Sequence, residues 1–124
     1  MLDLNQFKNR LEADLDRLTT ELETIALHEA TTDDWIAKPE VEDINVTDSN
    51  VEADTVEEWN ERRATVSDLE IDYRNIKRAL AKITAGTFGL CEISNEPIDE
   101  RRLEINPTAR TCMAHMNEES SLPL

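Results

Sequence analysis

The chain has 124 residues, of which 33% are charged and only 4% are aromatic, and its formal net charge at pH 7 is −15. This length and composition suit one small domain or a long helical hairpin with a small lobe, and not a large globular core. The negative charge argues against direct nucleic-acid binding, which depends on Lys and Arg, and no apolar run approaches the ~20 residues of a membrane span.

The first predicted element is a long amphipathic helix. Apolar residues recur every three or four positions, at Leu4, Phe7, Leu11, Leu15, Leu18, Leu22 and Ile25. This period predicts a helix from about residue 3 to residue 29, with Asp3 or Asn5 as its N-cap. Such a helix would be ~40 Å long.

A connector over about residues 30–50 interrupts the helical pattern. Turn-forming residues cluster at 31–34, 38–39 and 47–50, and the sizeable apolar groups between them follow no helical period. We therefore expect an irregular or extended segment that is too long for a simple hairpin turn.

A second long helix is predicted to begin between Asn50 and Asp54. Its apolar stripe comprises Trp59, Val66, Leu69, Tyr73, Ile76, Leu80 and Ile83. From Val66 onward the spacing alternates between three and four residues, as in coiled coils, and Gly86 is a suitable left-handed cap. Two narrowly striped helices predict a mainly α fold, an antiparallel helical hairpin over residues 1–85.

The remaining segment, residues 86–116, carries the spacing of a small zinc-finger-like lobe. Cys91 and Ser94 form one pair, and Cys112 and His115 form a second pair, with seventeen residues between the two pairs. We expect extended pieces at 90–92 and 97–98 joined by a turn at 94–96, and a short helix that starts near Thr108. Residues 117–124 are predicted to be a flexible tail.

Two alternatives for this lobe follow from its donor set. In one, Cys91, Cys112 and His115 hold a zinc ion while Ser94 occupies the fourth position as a poor ligand. In the other, the lobe keeps its fold without metal. Its miniature core would then consist of Ile93, Ile98, Leu103, Ile105, Ala109 and Met113.

The motifs of the lobe resemble those of the TraR/DksA family of bacterial transcription regulators. The first half of the resemblance lies in Phe88, Gly89, Cys91 and Glu92, and the second half in Arg102, Leu103, Glu104, Pro107, Ala109 and Cys112. The resemblance covers residues 48–116 by motif and the first helix by architecture. It implies binding to RNA polymerase, with the hairpin entering the secondary channel of the enzyme.

Family tips carry an acidic D-x-x-D-x-A loop, which is only partly present here. An ungapped count from the first knuckle places Asp48 on the first Asp and Ala53 on the Ala, while Val51 replaces the second Asp. Glu52 and Asp54 supply carboxylates nearby. Independently of the family, residues 29–61 contain twelve acidic side chains and one basic side chain. Such a cluster suits either a basic channel or merely a solvated connector.

A local group of arginines, Arg101, Arg102 and Arg110, stands out in this acidic chain. These residues either pair with acidic groups of the protein, such as Glu100 or Glu104, or help to dock the lobe on polymerase. We expect the pairing role for Arg102.

The sequence as a whole predicts a cytoplasmic, non-enzymatic transcription regulator that partners RNA polymerase, with a monomer favoured. No nucleophile–base set, phosphate-binding loop or pair of catalytic carboxylates is evident. The alternative function is a coiled-coil scaffold or adaptor that reuses the fold without binding polymerase.

Overall fold

The computed structural model describes residues 3–38 and 49–123, and it describes the side chains of 49–55 no further than their place in a helix. The chain is mainly helical, as predicted. Its elements are α1 (Leu4–Ile25), β1 (Ala26–Glu29), β2 (Asp34–Ala37), α2 (Ser49–Ala85), α3 (Glu100–Ile105) and a final 3-10 helix (Met113–Ser121). Among the described residues, no helix is long and apolar enough to span a membrane.

The apolar stripe of α1 is largely buried, which confirms the predicted helical face. Phe7, Leu11, Leu18 and Leu22 are buried, whereas Leu4 at the first turn is 41% exposed. The carboxylate of Asp3 accepts a hydrogen bond from the backbone N–H of Gln6, so that Asp3 acts as the predicted cap.

The prediction that the first helix reaches residue 29 is wrong, because α1 ends at Ile25 and β1 follows at once. β1 pairs antiparallel with β2, and His28 lies opposite Trp35 in the register. Along β1 only Ala26 is buried. A helical continuation would lose the pairing with β2, whose Trp35 is buried. Part of the predicted irregular connector is therefore a short β ribbon.

The second helix begins at Ser49, next to the predicted start, and ends at Ala85 as predicted. From residue 56 onward, the buried residues of this helix are Val66, Tyr73, Ile76 and Ala79. Gly86 adopts a positive φ of 80°, and the backbone N–H of Thr87 donates to the carbonyl of Lys82 at 2.9 Å. This is the left-handed glycine cap that the sequence predicted, since residues with a Cβ rarely adopt this conformation.

Contacts divide the chain into two compact units. One unit comprises Met1–Asp16 and Arg74–Leu124, and the other comprises Arg17–Tyr73. The first therefore joins the start of α1 and the end of α2 to the lobe. The second contains the end of α1, the ribbon and the first part of α2. This grouping of opposite helix ends agrees with an antiparallel helical hairpin.

The lobe differs from its prediction in where its helices lie. The short helix is α3, over Glu100–Ile105, and it is capped by Asp99, whose carboxylate accepts the N–H of Arg101 at 2.9 Å. No helix starts near Thr108; instead, Cys112 is the extended N-cap of the 3-10 helix. This 3-10 helix continues to Ser121, where a flexible tail was predicted, because the side chain of Glu119 bonds back to the lobe.

Candidate metal site

The first knuckle of the lobe is a tight turn that begins at Cys91. The carbonyl of Cys91 accepts the N–H of Asn95 at 2.9 Å, and Asn95 has a positive φ of 59°. Leu90 and Pro97 form an antiparallel bridge across the turn. The bridge agrees with the predicted extended pieces, whereas the turn lies at residues 92–94 and only overlaps the predicted turn at 94–96.

The second knuckle follows the buried residue Thr111. The N–H of His115 donates to the carbonyl of Cys112 at 3.0 Å, which turns the chain so that both side chains lie on one side. The two knuckles are joined by a backbone hydrogen bond of 2.8 Å from the N–H of Glu92 to the carbonyl of Arg110. The backbone therefore brings together donors that are far apart in the sequence.

Three predicted ligands converge in this lobe. The ligand atoms of Cys91, Cys112 and His115 all lie within 4.8 Å of one another. His115 Nδ1 is 3.2 Å from Cys112 Sγ and 3.8 Å from Cys91 Sγ, and Ser94 Oγ is 3.9 Å from Cys112 Sγ. Ser94 thus occupies the fourth corner of the cluster, as the spacing predicted.

The surroundings favour the ionised forms of the donors. Burial opposes ionisation of Cys91, but hydrogen bonds from the side chain and backbone of Ser94, together with the backbones of Cys112 and Ile93, lower its pKa to about 6. The hydrogen bond from His115 lowers the pKa of Cys112, and the same contact raises the pKa of His115. Zinc binds cysteine as a thiolate. Because the pKa of Cys91 is already lowered, its deprotonation on metal binding would cost little free energy.

The geometry fits a zinc ion held by three protein ligands. With Zn–S near 2.3 Å and Zn–N near 2.0–2.1 Å, neighbouring sulfur and nitrogen ligands of a tetrahedral ion stand about 3.5 Å apart. The two observed sulfur–nitrogen distances, 3.2 and 3.8 Å, bracket that value. Cys91, Cys112 and His115 would hold the ion, and the hydroxyl of Ser94 would contribute little. Zinc would tie the two knuckles together, and its role would then be structural.

The miniature core expected for a metal-free lobe is only half correct. Ile98, Leu103 and Ala109 are buried. Ile93, Ile105 and Met113 are exposed instead. The sequence pattern did not distinguish these two groups because the lobe contains little regular structure from which a buried face can be read.

The three predicted docking arginines have different roles. Arg110 is buried, and its guanidinium makes a bidentate contact with Glu92, at 2.6 Å from Nε and 2.9 Å from Nη2. Arg102 donates to Glu119 at 3.0 Å, which agrees with the expected pairing role but with a different partner. Arg101 is the exposed member of the set.

Two acidic residues organise the lobe in a way that the sequence did not reveal. Glu92 also accepts a 2.8 Å bond from Lys82 near the end of α2. Glu119 accepts bonds from the Arg110 backbone N–H at 2.7 Å and from the buried Thr111 hydroxyl at 3.1 Å. Glu92 belongs to the motif that resembled the family, but nothing in the local pattern of residues 113–121 singles out Glu119.

The predicted tip lies largely outside the residues whose side chains the structure describes. Asp48 lies outside the described residues. Glu52, Ala53 and Asp54 belong to the first turns of α2, and their side chains are not among those described. His28 lies in the other compact unit from the donor cluster, where its Nε2 contacts Asp33 at 2.7 Å.

Comparison with known proteins agrees with the motifs of the lobe. Residues 86–114 match the family described as "Prokaryotic dksA/traR C4-type zinc finger". The match ends one residue before His115, and the chain has cysteine at only two of the four donor positions. No match is found among curated proteins.

Solved structures extend the likeness to the whole fold. The structure of transcription factor DksA2 from Pseudomonas aeruginosa matches with a TM-score of 0.58 and 20% sequence identity, over 95% of this chain and 78% of that chain. The fold and site therefore define a helical protein with a small zinc-finger lobe. The lobe thus matches the zinc finger of the dksA/traR family over residues 86–114, and the chain shares the fold of a DksA2 transcription factor.

A third thiolate, placed at the fourth ligand position, should strengthen the site. We expect Ser94→Cys to bind zinc at least tenfold more tightly than the wild type and to melt at a higher temperature when zinc is present, because a thiolate replaces a neutral hydroxyl at the fourth corner. Competition with a chromogenic chelator and thermal melts measure the two effects. Ser67→Cys, on α2, is the control for a thiol outside the cluster. Equal zinc affinity of Ser94→Cys and wild type would contradict the assignment.

Proposed function

We propose that this chain is a transcription regulator that binds RNA polymerase, with its helical hairpin entering the secondary channel and its acidic tip placed near the active site. The observation that carries the proposal is the family finger at residues 86–114 on a chain whose fold matches that of a DksA2 transcription factor. The proposal includes no catalytic step for the protein itself.

The charge distribution supports a basic partner surface for the hairpin. Residues 29–61 carry twelve carboxylates and a single lysine, Lys38. A concentration of one sign of charge accelerates association with a surface of the opposite sign and weakens contact with nucleic acid. The proposal therefore assigns the tip, Asp48 with Glu52, Ala53 and Asp54, to the regulatory contact and not to DNA.

The lobe serves in this proposal as the anchor of the hairpin. Glu92 joins the first knuckle to Lys82 on α2 and to Arg110 beside the second knuckle, so the finger is fixed to the end of the long helix by ion pairs. Arg101 remains the arginine that suits docking on polymerase, since Arg102 and Arg110 already bond to acidic groups of the protein.

Neutralising the tip should separate binding from regulation. We expect a variant with Asp48→Asn, Glu52→Gln and Asp54→Asn to keep most of its affinity for core polymerase, because the lobe still docks, and to lose its effect on transcription initiation. Run-off transcription beside a binding assay measures both. The control, Glu12→Gln with Asp68→Asn and Glu118→Gln, removes the same charge at exposed positions outside the tip. An unchanged transcription effect in the tip variant would contradict the proposed role of the tip.

The alternative of a scaffold or adaptor rests on the departure of the tip from the family pattern, since Val51 stands where the second Asp is expected. Under that alternative, the wild type itself has no effect on transcription and does not bind core polymerase. The same assays therefore discriminate the two functions.

A further inference from the structure

The β ribbon, residues 26–37, has one face that packs inside the protein and one face that does not. On the inner face, Trp35 is buried, stacks on His28 with ring centroids 4.6 Å apart, and meets Tyr73 of α2 edge-on at 5.8 Å. The hydroxyl of Tyr73 donates to Asp33 at 2.8 Å. The ribbon is thus fixed to α2 through one of its faces.

The outer face of the ribbon exposes a pair of large apolar side chains. Leu27 and Ile36 are direct partners in the antiparallel register and lie on the face opposite that of His28 and Trp35, because side chains alternate along a strand. Leu27 is 61% exposed and Ile36 is 57% exposed. Single exposed apolar residues are ordinary, but two that face each other across a ribbon form a contiguous apolar spot.

Two carboxylates adjoin this apolar spot. Glu29 and Asp34 are the next partners in the register on the same face, two residues beyond Leu27 and Ile36. Glu29 also accepts a hydrogen bond from the hydroxyl of Thr31 at 2.8 Å. The two carboxylates place negative charge beside the apolar spot.

The edge of the ribbon that faces α2 already forms a hydrogen bond with that helix. The carboxylate of Glu70 accepts the outward backbone N–H of Trp35 at 2.7 Å, which occupies a hydrogen-bonding position of β2. A partner is therefore better recognised by the outer face than by addition of a strand to β2.

We propose that the outer face of the ribbon, formed by Leu27, Ile36, Glu29 and Asp34, is a second contact with RNA polymerase, at a surface where an apolar side chain adjoins Lys or Arg. This inference rests on the proposed function. Charge decides the occupant: a second copy of this chain, with a net charge of −15, would bring carboxylates against carboxylates, whereas a basic surface complements them.

The test compares two ribbon variants with the wild type for binding to the host's core polymerase. Leu27→Thr with Ile36→Thr removes the apolar spot and keeps residues that favour strands. We expect binding at least tenfold weaker at all salt concentrations, since two buried apolar contacts are lost. Glu29→Gln with Asp34→Asn should weaken binding mainly at low salt, because exposed charges are screened. The control is Ile71→Ala, an exposed apolar residue on α2.

A photocrosslinking residue at position 27 identifies the occupant directly. Adducts with a polymerase subunit, at a peptide that contains Lys or Arg, are the expected result. Undiminished binding by the Leu27→Thr, Ile36→Thr variant, while the wild type binds, would overturn the ribbon contact and leave the proposed function intact. Crosslinks only between copies of this chain would also overturn it. A wild type that does not bind polymerase would overturn both proposals.

Discussion

Replacing Arg110 by methionine is expected to lower the free energy of unfolding by about 3 kcal/mol, because it removes one member of a largely buried ion pair. Arg110 is 7% exposed and contacts both carboxylate oxygens of Glu92. Without the guanidinium, Glu92 retains only Lys82 among these contacts, and its carboxylate is less well compensated. Urea denaturation followed by circular dichroism measures the change.

The control for this experiment is Arg101→Met, which changes the charge equally at an exposed position of α3. Surface changes of this kind are expected to lie within ~0.5 kcal/mol of the wild type. If Arg110→Met and Arg101→Met are equally stable, the Glu92–Arg110 pair does not hold the lobe together.

The pair should also give the protein a distinctive response to acid. The hydrogen bond from Arg110, opposed by burial and assisted by Lys82, lowers the pKa of Glu92 from 4.5 to about 2. Because the pKa is lowered in the folded state, the stabilisation is present above pH 4.5 and is lost as the pH falls towards 2; it amounts to at most about 3 kcal/mol. The stability difference between wild type and Arg110→Met should therefore shrink over that pH range, and a constant difference would contradict this origin.

Glu119→Ala is expected to destabilise the lobe by about 2 kcal/mol, since it removes three hydrogen bonds at once. Glu119 accepts from the Arg102 guanidinium, the Arg110 backbone N–H and the Thr111 hydroxyl. Thr111 is fully buried, so its hydroxyl would be left without this partner. Thermal melts in the presence of excess zinc keep the metal site constant while the contribution of Glu119 is measured.

The adjacent residue provides a matched control. Glu118 has the same charge and lies in the same 3-10 helix, and its backbone carbonyl, which accepts the Ser121 hydroxyl, is unaffected by Glu118→Ala. We expect this control to have the same melting temperature as the wild type. Equal melting temperatures of the Glu119 and Glu118 variants would instead favour the flexible tail that the sequence predicted.

The parts of the structure that could be predicted from the sequence are those that depend on neighbouring residues. The stripes of the two helices, the cap at Gly86 and the spacing of Cys91, Cys112 and His115 are local regularities, and the structure confirms them. Periodicity reports how residues of one element share a face, and a glycine cap or a metal knuckle depends on a few neighbouring residues.

The features that could not be predicted from the sequence depend on contacts between distant parts of the chain. The ribbon forms because residues 26–29 find a partner strand, and four residues are too few for periodicity to separate a strand from the end of a helix. Glu119 lies in a weakly patterned segment, and its partners are known only once the knuckles have formed. The burial of Arg110 likewise follows from its tertiary pairing with Glu92, not from its own sequence neighbours.

The most direct test of the proposed function is binding to the host's core RNA polymerase, measured with the secondary channel free and again with the channel filled by a transcript-cleavage factor. The proposal predicts saturable binding to the free enzyme and its loss when the factor is bound, because both proteins would occupy the same channel. Absence of binding to the free enzyme, or binding that the cleavage factor leaves unchanged, would contradict it.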